Sequence, residues 1–108
     1  MNINFNGYDC KVVFGRYGNG NTAIQLMGKV DNQLVAVASV NGESIIGSEL
    51  VGIKNWSENE GMVNALISAN IIEAELAFIE PTGFVAIEYY PLTEEAKQAR
   101  EDALGAIS

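Results

Sequence analysis

The first half of the chain alternates between apolar and polar positions. Ile3 and Phe5 interleave with asparagines, and Cys10, Val12 and Phe14 share one side of a run from Tyr8 to Tyr17 while Lys11 falls on the other. A period of two marks half-buried β-strands. Gly7 separates the two runs, and Gly18-Asn19-Gly20-Asn21 closes the second, residues that accept the positive φ of turns. A third strand is expected over about Thr22 to Lys29, then a turn at Asp31-Asn32. Leu34 to Val40 is apolar on both sides and reads as a central strand. Asn41 to Glu49 reads as a loop pinned by Ile45-Ile46, and Leu50 to Lys54 as a short strand.

The period then changes. Ser57 with Glu60 three residues on has the form of a capping box, and Met62, Val63, Leu66, Ile67 and Ala69 recur at helical spacing. The pattern predicts a helix from Ser57 to near Asn70. Strand character returns over Ile71 to Glu80, with Ile72, Ala74, Leu76 and Phe78 on the core side and Glu73 and Glu75 facing solvent. Pro81-Thr82-Gly83 reads as a turn, and Phe84 to Tyr90 as the second arm of a hairpin. Thr93 caps a second helix from Glu94 to about Ile107, whose Glu94 and Glu95 suit the positive end of the helix dipole. Its apolar stripe (Ala96, Ala99, Ala103, Leu104 and Ile107) is thin, which leaves three expectations open: loose docking, contact with a partner, or fraying. The expected fold is α+β. A curved antiparallel sheet of about six or seven strands with one packed helix occupies 1–92, and a C-terminal helix occupies 93–108.

With 108 residues, 48% of them hydrophobic, the chain suits one globular domain with a true core. No run approaches the about eighteen apolar residues of a membrane span. Met1 to Asn6 lacks the basic and apolar regions of a signal peptide, and the single cysteine, Cys10, suits a reducing compartment. A cytoplasmic location in the host cell is the expectation. Fourteen acidic residues against six basic ones give a net charge of −8. That balance disfavours direct binding of nucleic acid, which relies on Lys and Arg at phosphates, and suits a protein partner with a basic surface.

The chain has no histidine. That removes the usual near-neutral acid–base group and the common zinc and triad arrangements. Gly15 to Gly20 has neither dinucleotide-binding nor P-loop spacing, and a hairpin turn accounts for it; Arg16 and Tyr17 beside it are candidate contact residues. Glu73, Glu75, Glu80 and Glu88 do not follow an EF-hand pattern, and Cys10 reads as a small buried hydrophobe. No catalytic residue, metal or cofactor is expected, and the chain reads as not an enzyme. Trp56 precedes the capping serine, and its staple position would fall on Gly61, which leaves Trp56 free to act as a contact. The candidate binding residues are therefore Trp56, Glu58, Glu60, Glu73, Glu75, Arg16 and Tyr17.

Four stretches carry a resemblance. The run from Phe5 to Leu26, the small-residue strand ending Ala38-Ser39-Val40-Asn41, the segment Ile53 to Leu66 and the segment Pro81 to Leu92 resemble a widespread family of small uncharacterised proteins of phages, plasmids and bacterial mobile elements. Lys54-Asn55-Trp56-Ser57-Glu58-Asn59-Glu60-Gly61-Met62 is its most specific part. The resemblance covers about Asn4 to Leu92 and departs over Ile71 to Phe78. It carries no assigned activity. It implies an accessory protein acting by protein binding, such as an inhibitor of a host defence protein of the anti-CRISPR or anti-restriction type. The alternatives are a binder of small molecules or nucleotides on the sheet face, and a minor phage structural or assembly protein.

Overall fold

The computed structural model describes residues 1–105. The strands form two antiparallel sheets. The first holds β1 (Asn2–Phe5), β2 (Tyr8–Arg16), β3 (Thr22–Gly28) and β4 (Leu34–Val37) in sequential order. The second holds β5 (Leu50–Ile53), β6 (Phe78–Thr82) and β7 (Val85–Pro91) in the order β5-β7-β6. Two helices complete the fold, α1 (Met62–Ser68) and α2 (Glu94–Leu104). The class is α+β, as expected. The architecture is not the single curved sheet of six or seven strands.

The sheet divides because β4 is short. Its pairing with β3 slips between Leu26 and Met27, and it ends at Val37. The chain then crosses between sheets within three residues. The Ala38 amide donates to the Ile24 carbonyl of β3, and the Val40 amide donates to the Gly52 carbonyl of β5. Ser39 stands at the crossing, bridged to Ile53, and its hydroxyl accepts from the Ile24 amide at 2.8 Å. Leu34 to Val40 is therefore not a central strand. Leu34 and Val37 lie exposed on the first sheet's edge, and only Ala38 and Ser39 are buried.

The first hairpin follows directly from its residues. Asn6 and Gly7 both take positive φ, 51° and 84°, the requirement of a two-residue type I′ turn. Ile3, Phe5, Cys10 and Phe14 then share the buried side with Ile24 and Leu26. From the second sheet Val51, Ile53 and Tyr90 join this core, and Met62, Val63 and Leu66 of α1 pack into it.

The helix start departs from the sequence reading. Ser57–Asn59 is a single 3-10 turn, and the Glu60 amide donates to the Ser57 carbonyl rather than to a side chain. No capping box forms. Ser57 sits at φ 57°, and Gly61 at φ 91° turns the chain into α1. The cap comes from upstream, where Asn55 Oδ1 accepts from the Val63 amide at 2.9 Å. The far end closes in a Schellman motif: Asn70 takes φ 61°, its amide donates to Ile67, and the Ile71 amide donates to Leu66.

The segment after α1 also differs from expectation. Before Phe78 the segment forms no strand, only a bridge from Ile72 to Leu92 and single bonds from the Glu73 and Ala77 amides to the Pro91 and Tyr89 carbonyls, while Ala74, Leu76 and Phe78 are exposed rather than buried. The loop over 41–48 is anchored by a polar residue. Asn21 Nδ2 donates to Asn41 Oδ1 and to the Ser44 carbonyl, and Asn21 Oδ1 accepts from the Ile46 amide, whereas Ile45 is exposed. Thr93 caps α2 as expected, its hydroxyl accepting from the Ala96 amide at 3.0 Å. The helix lies along β2. Buried Arg100 donates to Thr22 Oγ1 and to the Ser48 carbonyl, and Lys97 pairs with Glu49 and Glu94. Ile107, the last residue of the expected stripe, lies outside the described residues. Among the described residues no helix is long and apolar enough to cross a membrane.

Candidate functional site

The strands β6 and β7 meet in a two-residue turn, Gly83-Phe84. Gly83 at φ 82° supplies the positive φ that a type II′ turn needs at its first position. The turn therefore falls two residues later than Pro81. Pro81 sits within β6, an edge strand, where a missing N–H least disturbs the ladder. This geometry leaves Phe84 fully exposed at the tip. Large apolar side chains on the same arm are also exposed, Ile79 at 50%, Leu76 at 40% and Phe78 at 38%. Phe78 is held in place, its ring stacked on Tyr89 with centroids 4.4 Å apart. Glu73 and Glu75 lie exposed just before this arm, with the Glu73 backbone tied to the Pro91 carbonyl.

The face of the second sheet that carries Ile87 and Tyr89 is closed by the 41–48 loop. Tyr89 is buried, and its hydroxyl donates to Glu80 Oε1 at 2.8 Å. Glu80 Oε2 accepts from the Glu43 amide at 3.1 Å. The Tyr89 hydroxyl and then the Glu43 amide hold the Glu80 carboxyl below the usual carboxylate range, and burial followed by Glu80 pushes Tyr89 up to about 12. Next to this pair lies a cleft of about 410 Å³, lined by Val40, Trp56, Glu43, Glu80, Pro81 and Ile87 among others. A larger opening of about 530 Å³ lies between the β1–β2 and β3–β4 turns and is lined by none of the seven candidate residues.

The seven residues chosen from sequence do not form one cluster. Trp56 is half-buried and lines the smaller cleft. Glu58 and Glu60 are exposed on the turn that follows; Glu58 pairs with Lys54, which draws its carboxyl down to about 2. Arg16 serves the fold, donating to the Gly20 carbonyl and pairing with Glu101 of α2. Tyr17 shares a hydrogen bond of 2.9 Å with Ser39 at the crossing between sheets. Within the motif that carries the resemblance, Asn59 and Met62 are buried, and Asn59 Nδ2 donates to the Val37 carbonyl at 2.7 Å. The motif builds the turn between the sheets and α1.

Sequence reasoning missed Phe84, Ile79 and Glu80. The signal for Phe84 was Gly83 read as the first residue of a two-residue turn, which puts the next side chain at the tip. Among the described residues no three Cys, Asp or Glu side chains gather so as to hold a metal ion. No family model, curated protein or solved structure matches the chain.

Proposed function

We propose that the chain is a protein-binding accessory protein that engages its partner through the β6–β7 hairpin and the acidic segment before it. The observation that carries this reading is the exposure of Phe84, Ile79 and Phe78 on one hairpin, with Leu76 exposed just before it. Aromatic and aliphatic side chains standing in water along one element mark an interaction surface more often than a bare one. Glu73 and Glu75 flank them, and the chain's net charge of −8 draws a basic partner from a distance. A nucleic-acid-binding protein, masked at its basic surface, fits both features and the inhibitor role implied by the family resemblance. On this reading the chain is a binder rather than an enzyme. The test is capture from an extract of the cell that makes the protein, with Phe84→Ser and Glu73→Lys/Glu75→Lys chains beside the parent. Both variants should fold and lose the same captured species. Capture that is identical for all three chains contradicts the reading.

A further inference from the structure

The edges of the two sheets are not alike. The outer side of β5 is taken by the crossing segment, through the Val40 amide on the Gly52 carbonyl and the Lys54 amide on the Ala38 carbonyl. β6 carries Pro81. β4 slips in register at Leu26/Met27, and the Val37 carbonyl at its end accepts from Asn59. Proline, irregular pairing and covering groups keep an edge from joining another chain. β1 has none of them. Its two-residue turn makes Phe5↔Tyr8 and Ile3↔Cys10 the hydrogen-bonded pairs, and the Met1 carbonyl accepts from the Val12 amide in the same phase. The N–H and C=O groups of Asn2 and Asn4 therefore point away from β2, and both residues are exposed. Among the described residues no other element bonds to these four groups. A groove of about 340 Å³ lies beside them, bounded across from β1 by the small side chains of Ala65, Ser68 and Ala69. Neither β1 nor α1 contains a charged residue.

We propose that β1 is a dimer edge, where a second copy of the chain pairs its own β1 antiparallel about a two-fold axis at Ile3. The two four-stranded sheets then become one continuous sheet. Asn2 of each copy lies opposite Asn4 of the other in a hydrogen-bonded pair, so every free group gains a partner. The facing asparagine side chains are self-complementary, since each amide both donates and accepts. A second copy fits this edge because the pairing surface is uncharged. Residues 1–54 balance four acids against four bases, so the whole charge of −8 comes from residues 55–108. Pairing about a two-fold axis uses up the edge and closes at two copies.

Sedimentation equilibrium of the purified full chain tests this. A monomer–dimer equilibrium is expected, with a Kd on the order of 100 μM for so small an interface. Two copies of like charge repel, so added salt should tighten the dimer, the opposite of its effect on capture of a basic partner. Asn4→Pro removes an outward N–H while Ile3 and Phe5 keep the ladder to β2, and it should weaken the dimer roughly tenfold or more. Asn2→Lys/Asn4→Lys sets lysine opposite lysine and should weaken it too, although the added charge lowers the overall repulsion. Asn2→Glu/Asn4→Lys sets opposite charges across the axis and should keep the dimer. The two lysine-bearing doubles decide the matter if Asn4→Pro fails to fold. A chain that stays monomeric at every concentration and salt overturns the proposal. So does an assembly that grows past two copies, or a dimer equally tight in the parent and both weakened variants.

Discussion

At the residue scale, the turn into α1 shows where its helical stability resides. Ser57 adopts a left-handed backbone and caps nothing, while Asn55 accepts from the Val63 amide and Gly61 supplies φ 91°. Asn55→Ala should therefore cost about 1 kcal/mol, and Gly61→Ala roughly 1–2 kcal/mol through backbone strain. Ser57→Gly should leave stability level or slightly raised. Urea denaturation of the three variants checks the order. The buried tyrosines set a second residue-scale expectation. Burial first, and then Glu80 and Glu88, hold Tyr89 and Tyr90 neutral up to about 12. Tyrosine in an unfolded chain ionises near about 10. Below pH 10 these groups leave stability unchanged; between about 10 and 12 the unfolded chain releases protons that the folded one keeps, so stability falls as pH rises. Absorbance at the phenolate band should show two of the four tyrosines ionising together with the loss of fold. All four ionising near pH 10 in a folded chain would contradict it.

At the scale of elements, hydrophobic period was a good guide where one face is buried and a poor one where the chain changes sheet. Ile3, Phe5, Cys10, Phe14, Ile24 and Leu26 lie on the core side that their alternation gives them. Leu34 to Val40 misled because an apolar stretch can cross from one sheet to the next, leaving half its side chains on an edge. The capping pattern at Ser57 misled because a left-handed residue and a glycine, placed four apart, make a turn before the helix can start. Trp56 was legible as a candidate contact residue, and it lines the smaller cleft half-buried. Glu80, its neighbour across the cleft, was not, since its role depends on a loop from far along the chain. The thin apolar stripe of α2 gave no hint that one buried arginine fastens the helix. Arg100→Ala leaves Thr22 Oγ1 and the Ser48 carbonyl without their donor and should cost about 3 kcal/mol. Limited proteolysis should then cut within Glu94–Leu104 before the sheets are attacked; unchanged protection would contradict the account.

At the scale of the whole molecule, charge and exposed apolar surface occur together. A net charge of −8 opposes self-association of such a surface and, under the proposed reading, draws a basic partner to it. Steering of this kind is screened over about 8 Å at physiological ionic strength, so association should slow as salt rises while contacts already formed by Phe84 and Ile79 persist. The most direct test joins both features in one experiment. Capture from an extract of the producing cell is measured at low and high salt for the parent chain, for Glu73→Lys/Glu75→Lys and for Phe84→Ser. The account predicts a basic protein that the parent chain captures, that the charge reversal captures poorly at low salt, and that Phe84→Ser releases at either salt. Capture insensitive to salt and to both sets of changes, or no captured protein at all, would contradict it.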